Sequence, residues 1–198
     1  MTVDLLLALI GFAFVTSVTP GPNNLMLMTS GANFGFRRTV PHMLGVALGF
    51  VFMAASVGLG LAGIFHAVPQ AKTVLKVVSV AYMLWLAWKF AHAAPPEDAP
   101  EGARPMTFLQ AAAFQWVNPK AWAMALGAIS AYAPGETVAA VLIVAVVFGA
   151  VNLPTVSSWV LAGQQMRRFL STPARLRAFN WTMAGLLILS ILPVLRAV

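Results

Sequence analysis

The sequence has little charge, since Asp, Glu, Lys and Arg make up only 9% of its 198 residues. An average soluble domain is about 25% charged. Hydrophobic residues account for 60% of the chain, and the mean hydropathy is +0.85. A water-soluble fold of this length could not hide so much apolar surface. The composition therefore predicts an integral membrane protein.

Cysteine is absent, which excludes disulfides, thiol redox chemistry and cysteine metal sites. Only five residues are acidic, and Asp4 and Glu136 lie at the ends of apolar runs. His42, His66 and His92 stand singly near the ends of such runs, without metal-ligand spacing, and are interpreted as structural. The net charge of +7 is spread between apolar runs instead of forming a nucleic-acid patch. No catalytic residue, metal, cofactor or nucleic-acid partner is therefore predicted.

Charged residues divide the chain into six predicted helical membrane spans, at about 5–36, 40–63, 72–92, 107–131, 137–163 and 178–195. Arg37 and Arg38 are predicted to mark the first loop, and 167–177 a basic connector. Connectors after the odd spans hold eight Lys and Arg residues, and the opposite side holds three. The positive-inside rule then places both termini outside the cytoplasm.

Two of these spans are interrupted. Pro20 and Pro22 should leave the carbonyls of Thr16 and Val18 without their helical partners. The fourth span carries Asn118-Pro119-Lys120 at its middle. Free backbone at membrane depth is tolerated where it is buried in protein or lines a cavity. The alternative is that these interruptions have no functional role, because prolines are common in membrane helices.

The interruptions occupy matching places in two halves, at about 1–92 and 107–198, joined by a Pro- and Glu-containing linker at 93–106. Because each half has three spans, the second half should enter the membrane in the opposite sense. The sequence thus predicts an all-α fold, one transmembrane transporter domain over 1–198, with an inverted 3+3 repeat and broken first and fourth helices. In such repeats the substrate site lies between the broken helices at the midplane.

Lys120 is the most informative residue, because a lysine in the middle of a span costs about 2.5–3.5 kcal/mol on insertion scales. No acidic residue lies at similar depth in any predicted span, so an anionic group of a substrate would complement the ammonium. The alternative is a lysine that bends toward an interface and bonds to freed carbonyls. The half-helix that begins near Asn23 would add its positive dipole end.

Neutral oxygens are predicted on the other side of the site. They are the freed carbonyls of Thr16, Val18 and Gln115 and the amide oxygens of Asn23, Asn24 and Asn118. The pattern suits a small zwitterion such as an amino acid. The predicted substrate-binding residues are Pro20, Gly21, Pro22, Asn23, Asn24, Gln115, Asn118, Pro119 and Lys120.

Over nearly the whole chain, the sequence resembles the LysE/RhtB superfamily of bacterial amino-acid exporters. The segments that carry the resemblance are Thr19 to Asn24, Gly35-Phe36-Arg37-Arg38, Gly45 to Phe50, Tyr82 to Lys89 and Phe114 to Lys120. The closest likeness is to the cysteine and O-acetylserine exporter branch. The resemblance implies secondary active export of amino acids across the inner membrane, driven by protons. Lipid surrounds such a protein, and a homo-oligomer is compatible with the sequence.

One departure concerns the second span, which lacks the acidic residue of the lysine-exporting branch. A cationic substrate would meet Lys120 unopposed, so a small neutral amino acid or a close derivative is predicted. The residue that couples transport to protons is left unidentified. A channel or an exporter of another small metabolite is the alternative, and an intramembrane enzyme is a more distant one.

Overall fold

The computed structural model describes residues 1–61, 67–68, 70–92, 104–133, 135, 137–166, 168–170 and 172–192, apart from the side chain of Lys72. Within these residues the regular structure is helical, as predicted. The helices are α1 (Val3–Val18), α2 (Pro22–Gly58), α3 (Gln70–Ala91), α4 (Phe108–Phe114), α5 (Pro119–Tyr132), α6 (Val138–Met166) and α7 (Pro173–Leu189), with a 3₁₀ helix at Gln115–Val117. Most of the predicted linker, 93–103, lies outside the described residues.

The first interruption falls where the prolines predict it. Helix α1 ends at Val18, and α2 begins with Pro22 as its first residue, a position where the missing N–H costs nothing. Three non-helical residues, Thr19 to Gly21, join the two helices.

The predicted loop at Arg37 and Arg38 is wrong, because α2 continues through both residues. The only non-helical residue between Pro22 and Gly58 is Gly35, whose φ of 78° and ψ of 171° interrupt the helix there. Glycine adopts positive φ without the steric penalty of a Cβ. The arginines are exposed, so their charge marks a surface and not a chain reversal. Helix α2 therefore has two parts, 22–34 and 36–58.

The second interruption is also confirmed. Helix α4 and the 3₁₀ helix end before Asn118, which is extended (φ −94°, ψ 106°), and α5 then begins at Pro119. The last helix begins five residues earlier than predicted. Arg175 and Arg177, expected in a connector, lie in its first turns, and the hydroxyl of Thr172 caps it by accepting from the Arg175 N–H at 3.4 Å.

Helix α2 packs against α4, α5, α6 and α7, and the close approaches are made at glycines. A Cβ on Gly31 would collide with the backbone carbonyl of Val160 in α6, and one on Gly163 would collide with that of Met28. Gly45 and Gly49 lie in the same way against α4. Gly31, Gly45 and Gly49 thus allow close helix packing, whereas Gly35 allows the positive φ at the break in α2.

Within the described parts of the chain, three helical stretches are long and apolar enough to cross a membrane: Pro22–Gly58, Thr73–Ala91 and Val138–Met166. Helix α1 is apolar but shorter, with 16 residues. The described structure is thus that of a helical membrane protein.

Candidate functional site

The two interruptions meet through their side-chain amides. Asn23 donates from Nδ2 to Oε1 of Gln115 at 2.8 Å, and Gln115 donates from Nε2 to Oδ1 of Asn23 at 3.2 Å. Gln115 is fully buried and also donates to the carbonyl of Ala111 at 2.9 Å. Residues 92 positions apart in the sequence are therefore held in direct contact.

Lys120 reaches across from α5 to the first interruption. Its Nζ donates to the carbonyl of Thr19 at 2.6 Å and to the hydroxyl of Thr19 at 3.0 Å. The side chain passes over Gly21, where a Cβ would lie only 2.6 Å from Cδ of the lysine. The lysine thus bonds to a backbone carbonyl at the break, as in the alternative interpretation, although this carbonyl belongs to Thr19 and is not one of the three expected to be freed. Lys120 also lines a cavity.

Among the described residues, no carboxylate lies beside Lys120. Of the five acidic residues, only Asp4 belongs to the described part of the chain. It lies at the start of α1, about 20 Å along that helix from Thr19. Two helix N-termini, those of α2 and α5, lie beside the ammonium and add to the positive potential.

Carbonyls that were predicted to be available to a substrate accept hydrogen bonds from within the protein instead. The carbonyl of Thr16 accepts from the hydroxyl of Thr19 at 2.9 Å, and that of Gln115 accepts from the N–H of Asn118 at 3.3 Å. The carbonyl of Thr19 instead receives both the Lys120 ammonium and Nδ2 of Asn24, the latter at 2.8 Å. Local capping bonds thus take up two of the three carbonyls that the prolines were expected to leave free, those of Thr16 and Gln115.

A cavity of about 340 Å³, counted with the space at its mouth, lies where the interruptions meet. One part of its lining is polar and another is apolar: Thr16, Ser17, Gly21, Asn23, Asn24, Asn118, Lys120 and Asn152, then Val46, Phe50, Ala121 and Met124.

Five of the nine predicted site residues line this cavity: Gly21, Asn23, Asn24, Asn118 and Lys120. The other four are not among its lining residues and support the site in other ways. Gln115 holds Asn23, while Pro20, Pro22 and Pro119 shape the breaks. Asn118 also caps α5, because its side-chain oxygen accepts from the Lys120 N–H at 3.1 Å.

Sequence reasoning missed the contribution of α6. Asn152 is buried, lines the cavity and donates to the hydroxyl of Ser17 at 3.1 Å. Its Oδ1 has no hydrogen-bond partner within the described residues. The signal was present, since Asn152 is the first polar residue of an apolar run and precedes Pro154. A buried acceptor without a partner is costly, so this oxygen is available to a ligand donor.

The site can thus hold a dipolar solute by charge and hydrogen bonds. The Lys120 side chain brings a positive charge to the cavity, and Oδ1 of Asn152 offers an acceptor there. Among the residues in view there is no group of three His, Cys, Asp or Glu side chains that could bind a metal.

Comparison with known proteins gives the lineage. The family described as LysE type translocator matches residues 14–192. The chain is 33% identical to a cysteine/O-acetylserine efflux protein of Escherichia coli O139:H28 over 193 residues, which cover 95% of this chain and 96% of the relative. It is also 33% identical, over 173 residues, to proteins of the same name in Escherichia coli K12 and Shigella flexneri, with 85% of this chain and 87% of each relative covered.

No solved structure matches the chain. The family match spans nearly all of the sequence and includes both interruptions and the cavity between them. The chain therefore belongs to the LysE type translocator family.

Proposed function

We propose that the protein exports small neutral amino acids or close derivatives across the bacterial inner membrane in exchange for protons. The observation that carries the proposal is the cavity between the two interruptions, whose described lining residues include one ammonium and no carboxylate. The relatives named as cysteine/O-acetylserine efflux proteins support the amino-acid class.

The substrate carboxylate pairs with Lys120, which leaves Thr19 or bridges the two groups. The substrate ammonium donates to neutral oxygens, including Oδ1 of Asn152. A cationic substrate would add a second positive charge beside Lys120. The apolar wall of Val46, Phe50 and Met124 receives a short side chain.

We further propose that 1–198 forms one transporter domain with an inverted repeat of halves 1–92 and 107–198. The packing supports this pairing. Helix α1 packs against α6, and its counterpart α4 packs against the second part of α2, which is the counterpart of α6. In this arrangement both termini face the periplasm, and six spans cross the membrane.

Counterflow in proteoliposomes tests the function. Vesicles loaded with an unlabelled neutral amino acid should accumulate the labelled form, with saturation, whereas a channel would give no accumulation. Screening amino acids for thermal stabilisation of the purified protein identifies the substrate, because a ligand of the folded state raises the melting temperature. No accumulation with any amino acid that stabilises the protein would refute the exporter.

Lys120→Ala tests the site. Truncating one partner of a buried ion pair costs about 2–5 kcal/mol, so we expect substrate affinity to fall at least about 30-fold and counterflow to be lost. The matched control is Lys89→Ala, since Lys89 is exposed and lies over the ring of Trp85 away from the cavity. Near-normal counterflow in a folded Lys120→Ala protein would contradict the assignment.

A further inference from the structure

His42 is a buried titratable group that the substrate site does not use. It lies in the second part of α2 and is only 2% exposed. Neither ring nitrogen has a hydrogen-bond partner among the described residues. A buried polar group without a partner costs free energy, so an imidazole kept in this state requires a reason.

The position of His42 connects it to the cavity. Residues four apart share a helix face, so His42 lies one turn before Val46 and two turns before Phe50, both of which line the cavity. The rise between His42 and Val46 is about 6 Å. On its other side Thr39 bonds to the hydroxyl of Ser30 at 3.0 Å and to the carbonyl of Gly35 at 2.8 Å. The imidazole thus lies between the cavity wall and the break at Gly35.

The described helices that pack against α2 offer no carboxylate to a charged imidazole. Helix α4, the 3₁₀ helix and α6 carry no titratable side chain. Helix α5 carries Lys120 and Tyr132, and α7 carries Arg175 and Arg177. Helix α2 itself carries Arg37 and Arg38, and α3, which lies farther from it, carries Lys72, Lys76, Tyr82 and Lys89. The acidic residues of the chain lie at 4, 97, 98, 101 and 136, on none of these helices.

We infer that His42 carries the proton that is exchanged for the substrate. The inference rests on the proposed export function and names the coupling residue that the sequence leaves unidentified. One ring nitrogen accepts a proton from periplasmic water, and the imidazolium later releases it to cytoplasmic water. No other bond forms or breaks.

Proton binding is coupled to substrate transport because His42 is buried away from water. An imidazolium at His42 would have no acidic partner on the helices around it, so the proton is held only in a conformation that brings water to the ring. A group that binds protons differently in two conformations shifts the equilibrium between them. Because the same helix face forms the cavity wall, that change also alters the substrate site.

His42→Gln separates coupling from substrate transport. Counterflow at equal pH cycles only the substrate-loaded states, whereas accumulation driven by a pH gradient requires the proton carrier. We expect His42→Gln to retain counterflow, and we expect its accumulation of substrate under a pH gradient to fall at least about tenfold. The control is His92→Gln, since His92 is exposed and its Nδ1 lies 2.8 Å from the carbonyl of Trp88. Accumulation at the wild-type level in His42→Gln would overturn the inference.

A second measurement keeps His42 in place, in case the substitution prevents folding. In the His66→Gln/His92→Gln variant His42 is the only histidine, so nitrogen NMR of labelled histidine reports its protonation directly. Saturating substrate should shift the protonation midpoint of this imidazole. An unchanged midpoint would overturn the inference.

The failure of this inference differs from the failure of the proposed function. Wild-type protein that performs counterflow without any response to a pH gradient would refute the proton carrier and leave the exporter intact. Wild-type protein without counterflow would refute the exporter, and with it the role of His42.

Discussion

At the residue scale, the contact between Asn23 and Gln115 fixes the candidate site. Each amide donates to the other and accepts from it, so the loss of one leaves the other without its partner. Gln115 has no exposed surface, and water cannot readily replace the lost bonds. The pair thus connects the two halves of the chain at the point where both backbones are interrupted.

A double-mutant cycle measures this contact. We expect Asn23→Ala and Gln115→Ala each to lower the free energy of unfolding in detergent by about 1–3 kcal/mol, because a buried partner is left unsatisfied. The double variant should lose less than the sum, with a coupling energy of about 0.5–3 kcal/mol. Additive losses would show that the two amides act independently.

Individual residues were predictable where their chemistry is local. Proline in an apolar run indicates a break, and a lysine without a counter-ion indicates a cavity, so Pro22, Pro119 and Lys120 were identified from the sequence. Ser17 and Asn152 were not, because their bond joins residues 135 positions apart and depends on how α1 packs against α6. The sequence also could not show that Thr19 and Asn118 cap the freed groups.

At the element scale, close packing of α2 on α6 holds the first interruption in place. Gly31 and Gly163 each face the backbone of the opposite helix, at Val160 and Met28. Small residues at such positions allow membrane helices to approach closely, which strengthens their dispersion contacts. Neither helix can accept a Cβ here without a backbone shift.

Gly31→Ala tests this contact. Overpacking costs about 1–3 kcal/mol, so we expect a clear fall in the melting temperature in detergent. Gly185→Ala is the control, since a Cβ at Gly185 in α7 meets nothing within 4 Å. That substitution should be neutral or slightly stabilising, because alanine favours a helix more than glycine does. Equal effects of the two changes would contradict the packing argument.

Helix boundaries were predicted less well than helix interruptions. Arg37 and Arg38 suggested a loop because charge usually ends a membrane span. The structure ends the first part of α2 at Gly35 instead, where the backbone needs a positive φ, and continues the helix through both arginines. Likewise, Pro173 starts α7 within the predicted basic connector, since proline fits the first turn of a helix.

At the scale of the whole molecule, the absence of cysteine gives a direct test of the proposed topology. Single cysteines at Arg38, Leu59, Thr137 and Arg177, all exposed positions, would be the only thiols in their variants. We expect a membrane-impermeant thiol reagent added to intact cells to label the variants at Leu59 and Thr137. The variants at Arg38 and Arg177 should react only after the cells are opened. The reverse pattern would refute the periplasmic termini.

Helix α2 is interrupted at Gly35, and α6 holds that break through the side chain of Gln164, whose Oε1 accepts from the Phe36 N–H at 2.6 Å. Rotation at Gly35 would shift the second part of α2 relative to the first. His42, Val46 and Phe50 all lie in that second part, so a protonatable ring and a wall of the cavity would shift together. Release of the Gln164 amide would therefore free both at once.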